Sequence, residues 1–280
     1  MRLTCCTELL HREGFAFEDQ CRFAKAVGYQ ALELAVECLP GNPMTVSMAE
    51  IHKLREIARW NGLEIAGLHW LLSDAPSLSI TDPSRSRETE VYLLRLVEIC
   101  AELGGRVLVH GSPRQRAPLA GMSAQDTLAH VAALFRNVAD AAARHGLVYA
   151  IEPLSSDQTP FINTLDEAQE LVDMIGSDHF RTMLDCSSAA LAEEESVPDL
   201  ARRWLPTGRI AHIHLNDSNR GAPGTGHDDF SAIIAAIVET GYDGDLSVEP
   251  FTTCVNAQTT LAIAAATVKA HLQTFERGTP

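Results

Sequence analysis

The chain has 280 residues, of which 46% are hydrophobic and 21% are charged, a composition typical of globular proteins and unlike that of disordered or fibrous ones. Its 37 acidic and 22 basic residues give a formal net charge of −15, which argues against nucleic acid or an anionic membrane as the main partner. No run of about 18 apolar residues occurs, so the sequence predicts no membrane-spanning helix. The first residues lack the features of a signal peptide, and we therefore expect a cytoplasmic protein.

The cysteines are scattered along the chain, odd in number and without a CxxC pair. They are Cys5, Cys6, Cys21, Cys38, Cys100, Cys186 and Cys254. In a chain of this size without an export signal, the simplest interpretation is a set of reduced thiols in the core. Cys5 and Cys6 are adjacent, but neighbours in a strand point to opposite faces. We therefore favour core packing over redox chemistry for this pair.

Eight short apolar stretches recur along the chain, each followed by a polar turn and a longer amphipathic stretch. The stretches cover residues 2–6, 31–35, 64–69, 106–110, 147–152, 181–185, 210–215 and 245–249. The average unit of about 35 residues is long enough for one strand and a crossover helix. The sequence therefore predicts eight strands that alternate with helices.

The segments between the predicted strands have helical patterns with recognisable ends. Ser123 is a candidate N-cap for a helix that has apolar residues at helical spacing and ends at His145 and Gly146. Similar patterns, each ending near a glycine, cover residues 47–60, 87–103, 166–174 and 231–240. The order of helix, tight turn and strand is the one that a parallel sheet requires.

This alternation, without any change in composition along the chain, favours an α/β fold: a (β/α)₈ TIM barrel forming a single domain over residues 1–280. An open doubly wound sheet usually carries a glycine-rich phosphate loop after its first strand. GxGxxG is absent there, and GxxxxGK[ST] is absent from the whole sequence. In a barrel, catalytic groups gather where strands end and loops begin. Functional residues are therefore expected at the ends of the predicted strands.

The fifth to eighth predicted strands contain side chains of the types that bind divalent cations, at or next to the strand ends. These are Glu152 in Ile-Glu-Pro-Leu, Asp185 in Leu-Asp-Cys, His214 in His-Leu-Asn-Asp and Glu249 in Val-Glu-Pro-Phe. Three carboxylates and an imidazole suit Mn²⁺, Mg²⁺, Co²⁺ or Zn²⁺ better than a metal that prefers thiolates. Carboxylates crowded at one barrel mouth also repel one another unless a cation neutralises them. The sequence therefore predicts one divalent ion held by these four residues.

The seventh predicted strand carries two histidines on the same face, because side chains in a strand alternate with a period of two. His214 is the nearer of the two to the loop end and is level with Glu152 and Glu249. We therefore predict that His214 is the metal ligand and that His212 is its deeper neighbour.

Other polar residues near the predicted mouth are candidates for substrate binding. His69 ends the third predicted strand and His110 ends the fourth, and strand ends point into the mouth of this fold. Arg220 follows the seventh strand, beside a flexible Pro-Gly-Thr-Gly loop. An arginine near the mouth of so acidic a protein could hold a hydroxyl or an anionic group of a substrate, or it could be an ordinary surface charge.

These residues resemble the xylose-isomerase-like barrel superfamily, and within it the sugar epimerases and isomerases of the D-tagatose 3-epimerase type. The resemblance covers nearly the whole chain and is most specific in Glu152-Pro-Leu, Asp185-Cys, His214-Leu-Asn-Asp-Ser-Asn-Arg220 and Glu249-Pro-Phe. It implies that Glu152, Asp185, His214 and Glu249 bind one divalent ion, often Mn²⁺. It further implies that Glu152 and Glu249 exchange the substrate's proton and that Arg220 touches the sugar.

The sequence departs from the pattern of these epimerases at two positions. Gln158, six residues after Glu152, stands where they often have a second glutamate. Ser188, three residues after Asp185, stands where they often have a substrate-binding histidine. We keep both residues as candidate substrate-binding residues, while the identity of the sugar stays open.

The same superfamily contains AP endonucleases, in which histidines similar to His69 and His110 bind additional metal ions. Those enzymes also need the histidine that Ser188 replaces here and an Asp-x-His motif after the seventh strand, which this sequence lacks. Together with the net charge of −15, these differences argue against DNA repair.

We therefore expect a metal-dependent epimerase or isomerase of a sugar or a sugar-like polyol ketone. One carboxylate removes the proton beside the carbonyl, and a second on the opposite face returns a proton in epimerisation; return to the neighbouring carbon gives isomerisation. Two alternatives stay open: a metal-dependent dehydratase of the dehydroshikimate or inosose type, and a ligand-binding barrel without turnover. The expected partner is a small sugar-like molecule, and a homo-oligomer stays open.

Overall fold

The computed structural model describes residues 1–278, with side chains through Phe275. Within these residues, eight parallel strands close into a barrel in which each strand pairs with the next one along the chain and the last pairs with the first. The strands are β1 (Arg2–Cys6), β2 (Ala31–Ala35), β3 (Glu64–His69), β4 (Val107–His110), β5 (Val148–Ile151), β6 (Phe180–Asp185), β7 (Ile210–Leu215) and β8 (Asp245–Val248). The predicted (β/α)₈ barrel is confirmed.

Helices follow every strand of the barrel. They are α1 (Glu8–Arg12), α2 (Phe17–Val27), α3 (Met48–Trp60), α4 (Ser86–Leu103), α5 (Ala124–Arg144), α6 (Leu165–Ile175), α7 (Cys186–Ala192), α8 (Val197–Trp204), α9 (Phe230–Glu239) and α10 (Ala257–Gly278). The short helices α1 and α7 directly follow the carboxyl ends of β1 and β6, where they help to form the barrel mouth. Among the helices of residues 1–278, none is both long and apolar enough to cross a membrane.

Local signals in the sequence set the helix ends. The Ser123 hydroxyl accepts a hydrogen bond from the backbone N–H of Asp126 at 3.1 Å, so the predicted N-cap of α5 is confirmed. Gly176 follows α6 with a φ of 68°, in the left-handed region that glycine adopts without strain. The backbone then enters β6 through a short turn over residues 177–179.

Two strands are one residue shorter at the carboxyl end than predicted. β5 ends at Ile151 and β8 ends at Val248, so Glu152 and Glu249 are the first residues of the loops that follow. In each case the next residue is a proline, which lacks the N–H that would continue the ladder. Both glutamates therefore lie at the rim of the sheet, where their side chains can turn into the mouth.

The barrel wall separates two differently packed regions. Most buried apolar side chains pack between the outer face of the strands and the helices. A smaller apolar cluster of Val107, Val109, Ala150 and Met183 fills one side of the interior. Much of the remaining interior is polar and is fully or almost fully buried. Because buried charged groups are costly unless they are paired or bind a cation, this polar interior marks the candidate site.

The cysteines of the described chain are free thiols, and all but Cys254 are buried. Cys5 belongs to the core outside the barrel, whereas Cys6 lies inside it within 4.8 Å of potential metal ligands such as Glu33. Burial raises the pKa of both thiols well above its usual range, which makes them unreactive. This packing agrees with the structural interpretation of the pair, and the cytoplasmic location inferred with it stays a prediction.

Candidate active site

The predicted metal ligands lie together at the barrel mouth. One donor atom from each of Glu152, Asp185, His214 and Glu249 lies within 4.8 Å of the other three, and all four side chains are buried. Asp185 and His214 are partners in the register of β6 and β7, which fixes them side by side. His214 Nδ1 is 2.9 Å from Glu249 Oε2 and 3.8 Å from Asp185 Oδ2. We refer to these four residues as the ligand cluster.

Two atoms of the ligand cluster are left without hydrogen bonds. Among the described residues, His214 Nδ1 and Glu249 Oε2 form no hydrogen bond, either with each other across 2.9 Å or with any other group, although both are buried. The other ring nitrogen, His214 Nε2, is 3.1 Å from Glu33 Oε1. A carboxylate on the far side of an imidazole commonly orients a histidine that binds metal. Because unpartnered buried polar atoms are costly, the donor set fits a divalent cation between them.

The electrostatics of the ligand cluster also favour a cation. Burial and the negative charges of Glu249 and Asp185 raise the pKa of Glu152 to about 8. Burial and Glu249 likewise raise the pKa of Asp185. Burial acts in the same direction on Glu249, but the positive charges of His214 and His69 lower its pKa to about 2. The carboxylates therefore compete for neutralising charge, which a divalent ion would supply.

Glu33 holds the two histidines of β7 and was not found by sequence analysis. It is fully buried in the centre of β2, where its carboxylate lies 2.7 Å from His212 Nε2 and accepts a hydrogen bond from the Ser247 hydroxyl at 2.5 Å. Burial acts to raise its pKa, but the positive charges of His212 and His214 lower the pKa well below its usual range. His212 lies deeper than His214, as expected. The available signal was an acidic residue inside the apolar strand Ala-Leu-Glu-Leu-Ala.

His69 faces the ligand cluster and contacts one of its members. Its Nδ1 is 2.8 Å from Glu249 Oε1, and its Nε2 is 3.3 Å from Glu8 Oε2 at the start of α1. Burial acts to lower the pKa of His69, but the charge of Glu8 and the hydrogen bond with Glu249 raise it to about 10. Glu8 is a second buried acid that sequence analysis missed. His69 therefore lies between two carboxylates, and its contact with substrate stays a prediction.

The structure corrects the expectation for His110, which does not point into the mouth. Its Nδ1 is 2.6 Å from the Tyr149 hydroxyl, and its ring lies 5.4 Å from that of Phe135 on α5. Because Val109 belongs to the interior cluster, the next residue points outward. Burial and the charge of Arg116 lower the pKa of His110 well below its usual range. His110 is thus a neutral part of the outer core.

A cavity of about 450 Å³ opens above the ligand cluster, with Glu152 and Glu249 in its lining. Gln158 and Arg220, both predicted, also line it, and Arg220 Nη2 donates a hydrogen bond to Gln158 Oε1 at 2.7 Å. The other lining residues are Trp70, Gly111, Pro113, Arg114, Leu154, Phe251 and Thr252. The cavity thus brings candidate catalytic and substrate-binding residues together in a space that a small sugar can occupy.

Ser188 lies beside the ligand cluster without being part of the cavity lining among the described residues. Its backbone N–H donates to Asp185 Oδ1 at 2.7 Å, while the Asn216 side chain donates to Asp185 Oδ2 at 2.8 Å. Ser188 therefore orients Asp185 through its main chain. A contact between its hydroxyl and substrate stays a prediction.

The loop after β4 is shaped around Glu152. A Cβ at Gly111 would lie 1.8 Å from Glu152 Oε2, so only glycine leaves room for this carboxylate. The fully buried guanidinium of Arg116 donates to the carbonyl oxygens of Glu152 at 2.8 Å and His110 at 2.6 Å. Neither residue had a recognisable signal in the sequence, because both act through contacts with a distant strand.

The fold and the site together define a (β/α)₈ barrel with a candidate metal centre at the carboxyl ends of its strands. Residues 21–272 match the family of xylose isomerase-like TIM barrels, and the chain belongs to this family. The resemblance inferred from the motifs is thereby confirmed.

Several similar proteins are ketose 3-epimerases. The chain is 27% identical over 247 residues to a D-psicose 3-epimerase of Enterocloster bolteae, covering 86% of this chain and 79% of that protein. It is 30% identical over 195 residues to an L-ribulose 3-epimerase of Mesorhizobium japonicum, covering 68% and 63%. A solved structure of an L-ribulose 3-epimerase matches with a TM-score of 0.82 at 22% identity, over 99% of this chain and 96% of that one. This last likeness is one of fold.

Proposed function

We propose that the protein is a divalent-metal-dependent epimerase of ketose sugars. The observation that carries this proposal is the position of Glu152 and Glu249, which both belong to the ligand cluster and both line the cavity above it. The ketose 3-epimerases among its relatives support the same reaction. These relatives do not favour the dehydratase alternative.

The donors of the ligand cluster fit one divalent ion, for which we propose Mn²⁺ ahead of Mg²⁺, Co²⁺ and Zn²⁺. Oxygen-rich sites with one imidazole suit these ions. Bound there, the ion would supply positive charge that stabilises negative charge developing on the oxygens of the substrate. Glu33 would hold His214 in the orientation that turns Nδ1 towards the ion.

Proton transfer is assigned to the two glutamates of the cavity floor. They follow β5 and β8, which are three strands apart in the closed barrel, so they can approach a substrate from different sides. One carboxylate takes the proton from the carbon beside the carbonyl, leaving a planar enediolate. The other returns a proton from the opposite face and inverts the carbon. Their fixed positions favour this exchange because positioning lowers the barrier to transfer.

Arg220 and Gln158 are proposed to bind substrate beside the two glutamates. The guanidinium of Arg220 lies 4.8 Å from the ring centroid of Phe251, and the Arg220 carbonyl accepts the backbone N–H of Phe251 at 2.8 Å. These contacts hold the side chain at the cavity wall. Its donors, together with the Gln158 amide, can then bind oxygen atoms of the substrate.

The test uses Glu152→Gln and Glu249→Gln, which keep an oxygen donor but remove the base. With Mn²⁺ content verified as near one per chain, each variant should epimerise ketohexoses or ketopentoses at least about 100-fold more slowly than the wild type. Exchange of substrate hydrogen with solvent deuterium measures each proton transfer separately. Exchange without inversion in one variant would identify the base that still acts.

The control for this test is Glu194→Gln, an exposed glutamate that is not part of the cavity lining and should keep wild-type turnover. Near-normal turnover in both cavity variants would show that the bases are elsewhere. Including inososes and hydroxypyruvate in the panel extends the test, and loss of water from a substrate would identify a dehydratase.

A further inference from the structure

The cavity has acidic groups at its base and two arginines nearer its opening. Glu152 and Glu249 are buried, whereas Arg220 is half-buried and Arg114 is exposed, so the guanidinium groups lie at the solvent side. Arg114 belongs to the β4–α5 loop, and Arg220 belongs to the β7–α9 loop. Two independent loops therefore place a cation at the same opening. We call Arg114 and Arg220 the rim arginines.

Neither of the rim arginines is neutralised by an acidic side chain. Within the described residues, Arg114 forms no hydrogen bond or ion pair, and the guanidinium of Arg220 contacts only the neutral Gln158 amide and the face of Phe251. Most other arginines of the same residues are in ion pairs: Arg2, Arg12, Arg22, Arg59, Arg85, Arg95, Arg106, Arg202, Arg203 and Arg209. In a chain with 37 acidic residues, two arginines without an acidic partner at one cavity leave positive charge available to a ligand.

The backbone that carries Arg114 is held in place by its neighbours. The buried Arg116 ties the loop to the ends of β4 and β5, and the Ser112 hydroxyl accepts the backbone N–H of Leu72 at 2.9 Å. Pro113 further restricts the backbone directly before Arg114. The guanidinium of Arg114 therefore extends from a fixed point beside the cavity.

The loop that carries Arg220 is organised by one buried carboxylate. Asp217 accepts backbone N–H groups from Gly226 at 2.8 Å and from His227 at 3.1 Å, and two further amides of the loop also donate to it. Arg220 itself has a φ of 62°, and its backbone N–H donates to the Asp217 carbonyl at 2.6 Å. The rim arginines are therefore carried by preorganised loops, as expected of groups that bind a ligand.

We propose that the substrate of the reaction proposed above carries an anionic group, a carboxylate or a phosphate ester, that the rim arginines bind. The planar guanidinium group binds both anions through paired, charge-assisted hydrogen bonds. The field of a chain with a net charge of −15 repels anions, and local cations at the opening offset that repulsion. The anionic group lies at the opening, and the carbonyl end of the substrate lies at the glutamates.

The experiment compares neutral and anionic ketoses on the Mn²⁺-loaded protein. The probes are D-fructose with D-fructose 6-phosphate, D-ribulose with D-ribulose 5-phosphate, and D-fructuronate as the carboxylate. Deuterium exchange should be at least tenfold more efficient, in kcat/KM, with a phosphate ester or the carboxylate than with the neutral sugar. The anionic probe with the highest kcat/KM shows whether the negative charge of the substrate is a phosphate ester or a carboxylate. Equal or better exchange with neutral sugars, in a protein that exchanges them readily, overturns the inference and leaves the proposed function intact.

The matched variants are Arg114→Gln and Arg144→Gln, which change the net charge equally. Arg144 is exposed at the carboxyl end of α5, on the side of the barrel opposite the mouth. Arg114→Gln should lower the ratio of anionic to neutral kcat/KM roughly tenfold to a hundredfold. Arg144→Gln should leave this ratio unchanged. An unchanged ratio in Arg114→Gln would contradict the inference.

Calorimetry on the same proteins separates failure of the inference from failure of the proposed function. If no ketose exchanges deuterium, the proposed function fails. Binding of D-ribulose 5-phosphate or D-fructuronate that weakens at least tenfold in Arg114→Gln but not in Arg144→Gln would still support the anion site. Absence of binding of every anionic probe to the wild type would overturn it.

Discussion

The inner and outer faces of the barrel wall both bury histidines, but they surround them with opposite kinds of neighbour. On the inner face, His69 and His214 each lie between carboxylates, which raise the pKa of both rings. On the outer face, His110 lies between Tyr149 and Phe135, and burial lowers its pKa. The comparison teaches that burial alone does not decide the direction in which the pKa of a histidine shifts. The neighbours supplied by each face of the strand decide it.

Of the variants that test this difference between the two faces, Glu33→Gln on the inner face should have the largest effect. The change keeps the shape of the side chain but removes the charge that holds His212 and His214. We expect the affinity for Mn²⁺ to fall roughly tenfold to a hundredfold, as is usual when the partner of a metal-binding histidine is lost. Calorimetric titration of the metal-free protein measures this change. Ser247→Ala, which removes only one hydrogen bond to Glu33, is the control and should bind Mn²⁺ with nearly wild-type affinity.

A smaller effect is expected from the paired variants His69→Asn and His110→Asn. In His69→Asn, the imidazole that contacts Glu249 Oε1 is lost, and we expect kcat to fall about tenfold with metal content unchanged. In His110→Asn, the amide can still accept a hydrogen bond from Tyr149, and turnover should stay within twofold of the wild type. Equal losses in both variants would mean that the two faces do not differ in function.

The smallest effect concerns stability and pH. The pKa of His110 is lower in the folded protein than in the unfolded chain. Below pH 6.5 the unfolded chain therefore binds a proton on this histidine that the folded protein does not bind. The free energy of unfolding therefore decreases as the pH falls through this range. Between pH 7 and pH 5.5 the free energy of unfolding of the wild type should decrease by about 1 kcal/mol more than that of His110→Asn. Urea unfolding at both pH values measures the difference, and parallel losses in the two proteins would contradict the assignment.

The sequence predicted the barrel because its strands and helices are specified locally. Eight apolar stretches, caps such as Ser123 and glycines such as Gly176 mark where elements start and stop, and each signal acts within a few residues. The ligand cluster was also predictable, because its members occupy corresponding positions on consecutive strands of a closed parallel sheet. The two-residue periodicity placed His212 and His214 on one face, and the position of His214 nearer the loop end distinguished it without knowledge of any contact.

Only the tertiary structure decided which face of the wall each strand-end residue occupies and which distant residues meet at the mouth. His69 and His110 both end a strand, yet closure of the barrel turns the first inward and the second towards α5. Glu33, Glu8 and Arg114 come from a strand, a helix and a loop whose sequences carry no catalytic motif. Their roles arise from contacts between residues far apart in the chain. Such contacts depend on register and packing, which local periodicity does not encode.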